Sequence, residues 1–104
     1  MEETDKYEIY VGETLIGVAF LLEVDQPAYI CRFEPTPDFE QYRQRFDEYT
    51  DAVENPHPGQ DIGELWEKHI GELELRLIPF GNVYKGPVFV GKIANGNEAW
   101  LTPI

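Results

Sequence analysis

Tyr7-Glu8-Ile9-Tyr10-Val11 alternates in period two, and the apolar run Leu15 to Val24 follows it across Gly12-Glu13. Glycine at the first of two loop positions suits a type II′ turn, so the two segments are expected to form an antiparallel hairpin. If Val11 faces Thr14, then Ile9 faces Ile16 and Tyr7 faces Val18, and the apolar sets of both strands share one face. Leu15 to Leu22 is apolar at both parities, which predicts a central strand covered on much of both sides.

Working outward, Asp25-Gln26-Pro27 signals a turn, and Ala28 to Phe33 reads as a third strand with Tyr29, Cys31 and Phe33 on one face. Glu34-Pro35 ends it. Thr36 followed by Pro37 marks a helix start, with the hydroxyl placed to cap free amides. Phe39, Tyr42, Phe46, Tyr49 and Val53 recur at spacings of three and four, which predicts one helical face over about 37–54.

Asn55-Pro56-His57-Pro58-Gly59-Gln60 breaks that helix. Asp61 with Glu64 three residues on resembles a capping box for a second helix, whose apolar face is Ile62, Leu65, Trp66 and Ile70. Gly71 is expected to close it. From Glu72 the period returns to two, with Leu73, Leu75 and Leu77 alternating with Glu74 and Arg76 until Pro79. Val83-Tyr84 and Val88 to Ile93 read as strand, and Asn95-Gly96 signals a hairpin that would pair Ala94 with Asn97, Gly91 with Trp100 and Val90 with Leu101. The expectation is one α+β domain over residues 1–104. An antiparallel sheet of five or six strands, an N-terminal β-meander and a C-terminal hairpin, would carry two helices on one face.

Charge narrows the partners. Twenty Asp and Glu against eight Lys and Arg leave a net charge of −12, which argues against nucleic acid and anionic membranes, whose binding needs clustered cations. By segment the net charge is −6 for residues 1–35, −6 for 36–71 and zero for 72–104. Acidity thus belongs to the first strands and the helical middle. The acidic start Met1-Glu2-Glu3 and the shortness of the longest apolar run point to a cytoplasmic protein.

Chemistry is sparse. With no serine in the chain, a Ser-His-Asp site is excluded. Cys31, the single cysteine, cannot form an internal disulfide or a thiolate metal cluster, and between Tyr29 and Phe33 it reads as a core residue. His57 lies between two prolines, and His69 has Trp66 and Leu65 at the preceding helical positions, so neither belongs to a metal-binding motif. Glu72 and Glu74 are the ordinary acids of a solvated strand. No catalytic constellation, cofactor motif or metal site emerges.

What remains is a surface. Glu40, Asp47, Glu48, Asp51 and Glu54 lie off the aromatic stripe of the first helix, interleaved with Arg43 and Arg45 at pairing distance. The expected function is protein binding, as an acidic inhibitor or immunity-type protein that occludes a basic partner. Asp47, Glu48, Asp51 and Glu54 would steer association, with Tyr42 and Tyr49 as anchors and Tyr10 and Trp66 as further aromatics. One alternative is a small ligand-binding domain or enzyme with a pocket between sheet and helices. Another is a homo-oligomer assembled through the C-terminal strands.

Overall fold

The structure, a computed structural model, describes residues 5–25 and 28–104. Six strands form one antiparallel sheet: β1 (Lys6–Val11), β2 (Thr14–Asp25), β3 (Ala28–Pro35), β4 (Leu75–Phe80), β5 (Val88–Ala94) and β6 (Glu98–Pro103), in the order β4-β1-β2-β3-β6-β5. Between β3 and β4 come a 3₁₀ turn (Pro37–Phe39), α1 (Glu40–Glu54), α2 (Ile62–His69) and a second 3₁₀ turn (Gly71–Leu73). This is the expected α+β arrangement, with a meander first, a hairpin last and both helices packed on one face of the sheet. The sheet curls into a half-barrel, so its edge strands β4 and β5 approach across the open side. The turn expected at Gln26-Pro27 and the acidic start at Met1-Glu2-Glu3 lie outside the described residues.

The first hairpin closes as expected, with Val11 opposite Thr14 and Gly12 at φ 61° in the turn. Its register then departs. A bulge pairs Ile9 with Gly17 and Tyr7 with Ala19, where an unbroken ladder would have given Ile16 and Val18. The cause lies in the chain's exit from β3. The Thr36 hydroxyl donates to the Leu15 carbonyl at 2.6 Å and the Thr36 amide donates to the Ile16 carbonyl at 3.0 Å. Ile16, the extra residue, supplies the second of these acceptors, and Ile16 and Gly17 are buried side by side. Thr36 therefore ties the helical segment to β2, and its hydroxyl does not cap the helix. Gly17 is required sterically as well, because a Cβ there would collide with the ring of Phe33.

The concave face carries Tyr7, Ile9, Ala19, Cys31, Phe33 and Leu101, all buried, and α1 completes the core with Phe46 and Tyr49. Rings of Phe33, Phe39 and Phe46 pack in series at 5.1 and 5.5 Å. Burial of each such ring contributes about 1.5–3 kcal/mol. The convex face instead pairs cations with rings. Arg32 lies over Phe20 at 4.6 Å, Arg76 over Tyr10 at 4.7 Å and Lys92 over Trp100 at 4.8 Å, with Lys6 between Phe20 and Phe80. These side chains keep the rings half covered where no helix packs. At the end of β2 coverage ceases, and Leu22 is 50% exposed.

Three further expectations change. Glu72 and Glu74 are not on a strand: a 3₁₀ turn occupies 71–73 and Glu74 adopts a left-handed φ of 51°, so β4 starts at Leu75. Pro79 does not end β4 but pairs with Tyr7 inside it, which an edge strand tolerates because one side needs no donor. Val83-Tyr84 is not a strand; Val83 is buried and the Tyr84 carbonyl accepts the Tyr7 hydroxyl at 2.8 Å. In the last hairpin Asn95 and Gly96 both have positive φ and Asn97 N–H closes the turn on the Ala94 carbonyl. Ala94 therefore pairs with Glu98, and a bulge at Gly91 puts Lys92 opposite Trp100 while Val90 still faces Leu101. The indole of Trp100 lies under the Lys92 ammonium.

Candidate functional site

The aromatic stripe turns α1 so that its opposite side faces solvent, and where its two arginines go decides the charge of that side. Arg43 turns back one turn, donating to the Glu40 carboxylate from Nε and Nη2 at 2.7–3.1 Å and stacking on Phe39 at 5.1 Å. These bonds hold the Glu40 carboxyl below the usual carboxylate range. Arg45 crosses to the end of α2, where Nη1 donates to the Lys68 carbonyl at 3.2 Å and reaches Glu72 at 3.4 Å. A cation there complements the negative end of α2.

Asp47, Asp51 and Glu54 recur at i, i+4 and i+7 and are all exposed. Among the described residues none of the three forms an ion pair. With Thr50 and Asn95 they line a shallow concavity of about 210 Å³ between α1 and the tip of the β5–β6 hairpin. Thr50 is the buried floor, its hydroxyl donating to the Ile93 carbonyl of β5 at 3.2 Å. Asn55, the C-cap residue, donates its side-chain amide to Asp51 Oδ1 at 3.1 Å. No basic residue lies in the last turn of α1. Two carboxylates thus sit against the helix's own negative end, an arrangement that costs about 0.3–1 kcal/mol per charge.

The six residues read from the sequence as a partner surface are divided by the fold. Asp47, Asp51 and Glu54 come together. Glu48 is exposed on another flank, in a polar cleft of about 470 Å³ shared with Gln41, Gln44, Arg45, Lys68, His69 and Glu72. Tyr42 is half-buried against the core, and Tyr49 is only 6% exposed, with burial raising its hydroxyl pKa. Of the other aromatics, Tyr10 is half-buried on the convex face and Trp66 is half-buried on α2.

The remaining candidates fall into place. Cys31 is completely buried and burial pushes its thiol up to about 12, so at neutral pH it is protonated and a poor nucleophile. His57 is exposed in the connector, and His69 Nδ1 lies 3.0 Å from the Leu65 carbonyl of its own helix. No group of three His, Cys, Asp or Glu with metal-site geometry occurs among the described residues. No described helix is long and apolar enough to cross a membrane.

An apolar opening lies between α2, β4 and β5; a pocket between sheet and helices is among the alternatives the sequence allows, but without its residues being named. Trp66 donates its indole N–H to the Val90 carbonyl at 2.7 Å and meets Phe89 edge-on at 5.6 Å. The both-parity apolar run Val88-Phe89-Val90 is the one sequence signal for it, because an edge strand with an outward phenylalanine needs cover. Compared with family models, curated proteins and solved structures, the chain gives no match.

Proposed function

We propose that this domain binds a basic protein partner and acts by occluding the surface it covers. One observation carries the reading: Asp47, Asp51 and Glu54 form a carboxylate stripe with no ion pair among the described residues, and Asp51 and Glu54 lie at the end of the helix where negative charge is least favourable. Arg43 attracts Asp47 electrostatically, whereas Asp51 and Glu54 oppose their own helix dipole with no ion pair among the described residues, and charge of that kind fits a complementary surface. Long-range attraction would accelerate encounter, and half-buried Tyr42 at the margin of the helix would supply apolar contact. Glu48, on the neighbouring flank, would widen the negative field.

The test is affinity capture from nuclease-treated native lysate at low ionic strength, followed by stepwise salt elution. The expected result is one basic partner, released as salt rises and lost when Asp47→Asn, Glu48→Gln and Asp51→Asn are combined. Retention of the same partner by the triple variant would sink the proposal. Thermal melting of that variant is the companion measurement, since a folded protein with lost binding separates docking from structure.

A further inference from the structure

β4 and β5 share no ladder, yet the curl of the sheet sets them facing each other. Leu75 and Leu77 from β4 and Val88 and Val90 from β5 enclose an apolar cavity of about 150 Å³ beneath Trp66 and Ile70. An apolar protein cavity of about 150 Å³ can hold a benzene ring. Outside it lies a wider apolar groove of about 440 Å³ lined by Tyr49, Ile62 and Ile104. Trp66 and Phe89 line both spaces, so their edge-on pair is the partition between them.

The indole N–H is already satisfied by Val90, which leaves the ring itself as the surface that Trp66 presents. Among the described residues the one ionisable residue lining the inner cavity is Glu74, which is exposed and has a φ of 51° where the 3₁₀ turn meets β4. A left-handed backbone at a non-glycine residue is a local cost, and here it falls at an acidic residue on the rim of an apolar opening. The net charge of −12 adds to the same field. Together these features favour a ligand that is apolar at one end and cationic at the other.

We infer that this seam binds a small arylalkyl- or alkyl-ammonium compound, its apolar group passing Trp66 and Phe89 into the cavity and its ammonium pairing with Glu74. No residue lining the seam also lines the α1 concavity, so the two sites are separate.

The probes are 4-phenylbutylamine, 4-phenylbutanol and 4-phenylbutyrate, which share a phenyl tail and differ in head charge. Each is titrated while NMR follows the Trp66 indole N–H and the methyl groups of Leu77 and Val88. The amine should shift all three saturably, the alcohol should bind roughly threefold more weakly, as an exposed ion pair implies, and the carboxylate more weakly still. Glu74→Gln should bring the amine to the affinity of the alcohol and leave the alcohol unchanged. Val88→Phe should fill the cavity and abolish all three; methyl mapping on the unaltered protein decides the matter if that variant does not fold. Equal affinity for amine and carboxylate, or no saturable shift at Leu77 and Val88, overturns the inference. The Asp47→Asn, Glu48→Gln, Asp51→Asn variant should bind the amine normally, so failure at the seam and failure of the acidic docking face are distinguishable.

Discussion

Helix α1 sends Phe46, Tyr49 and Thr50 into the core, whereas α2 buries none of its eight residues completely. The longer helix has no side-chain N-cap and carries uncompensated acids at its C-terminal end. The shorter one has both local devices: Asp61 Oδ1 accepts the Glu64 N–H at 3.2 Å, and Lys68 and His69 occupy its last turn. Burial lets α1 tolerate charges that oppose its dipole. A helix without such burial depends on its caps, on one indole hydrogen bond and on the Arg45 bonds to its last turn. The difference places the candidate docking charge on the helix with stability to spare.

Phe46→Ala should break the comparison most severely, because it empties a fully buried position stacked on Phe39. A loss of about 3–5 kcal/mol is expected in urea denaturation; a loss below about 1 kcal/mol would mean that α1 is not held by its stripe. Next in size, Trp66→Phe keeps a ring against Phe89 but leaves the Val90 carbonyl without its indole donor, at a cost of about 1–3 kcal/mol. Asp61→Ala removes the cap of α2 and should cost about 1 kcal/mol, whereas Thr36→Val, at the start of the first helical segment, should act through β2 because its hydroxyl bonds Leu15. Circular dichroism with amide exchange along β2 separates those two effects.

The smallest effect has the opposite sign. Replacing Asp51 with Asn and Glu54 with Gln should stabilise the domain by about 0.3–1 kcal/mol per charge at low salt, with the gain shrinking as ionic strength rises. Stabilisation that persists at high salt would point to a non-electrostatic cause. The comparison sharpens if the same pair of substitutions weakens partner capture while raising the melting temperature.

Most of the fold was legible where local chemistry decides it. Gly12-Glu13 and Asn95-Gly96 specify their turns, the Phe39 to Val53 stripe specifies α1, and the Asp61–Glu64 spacing specifies the start of α2. The misses begin with the bulges. Among the described residues three break the ladders, in β1–β2, at Leu22 in β2–β3 and at Gly91 in β5–β6, and the first accompanies bonds from distant Thr36 to two carbonyls of β2. No window of neighbouring residues contains those bonds. The left-handed Glu74 was equally hidden, since Glu72 to Leu77 alternates well enough for a strand. At the candidate site the exposure of Asp47, Asp51 and Glu54 followed from helical periodicity, but the destinations of Arg43 and Arg45 did not. Tyr49 belongs to the stripe, and its depth depends on how α1 seats against β5. A pocket between sheet and helices could be imagined from the sequence, but its place and lining could not, because the seam joins strands that the chain order separates.

The open side of the half-barrel has a kinetic consequence. β4 and β5 share no ladder, and α2 covers their meeting with half-buried residues, one Trp66 bond to β5 and the Arg45 bonds at its last turn. Residues 62–69 therefore constitute a separate opening unit, able to lift while the β1–β2–β3 meander keeps its ladders. In native-state hydrogen exchange the amides of α2 should become accessible well before those of β2, and the rate of that opening sets how quickly anything can enter or leave the cavity beneath.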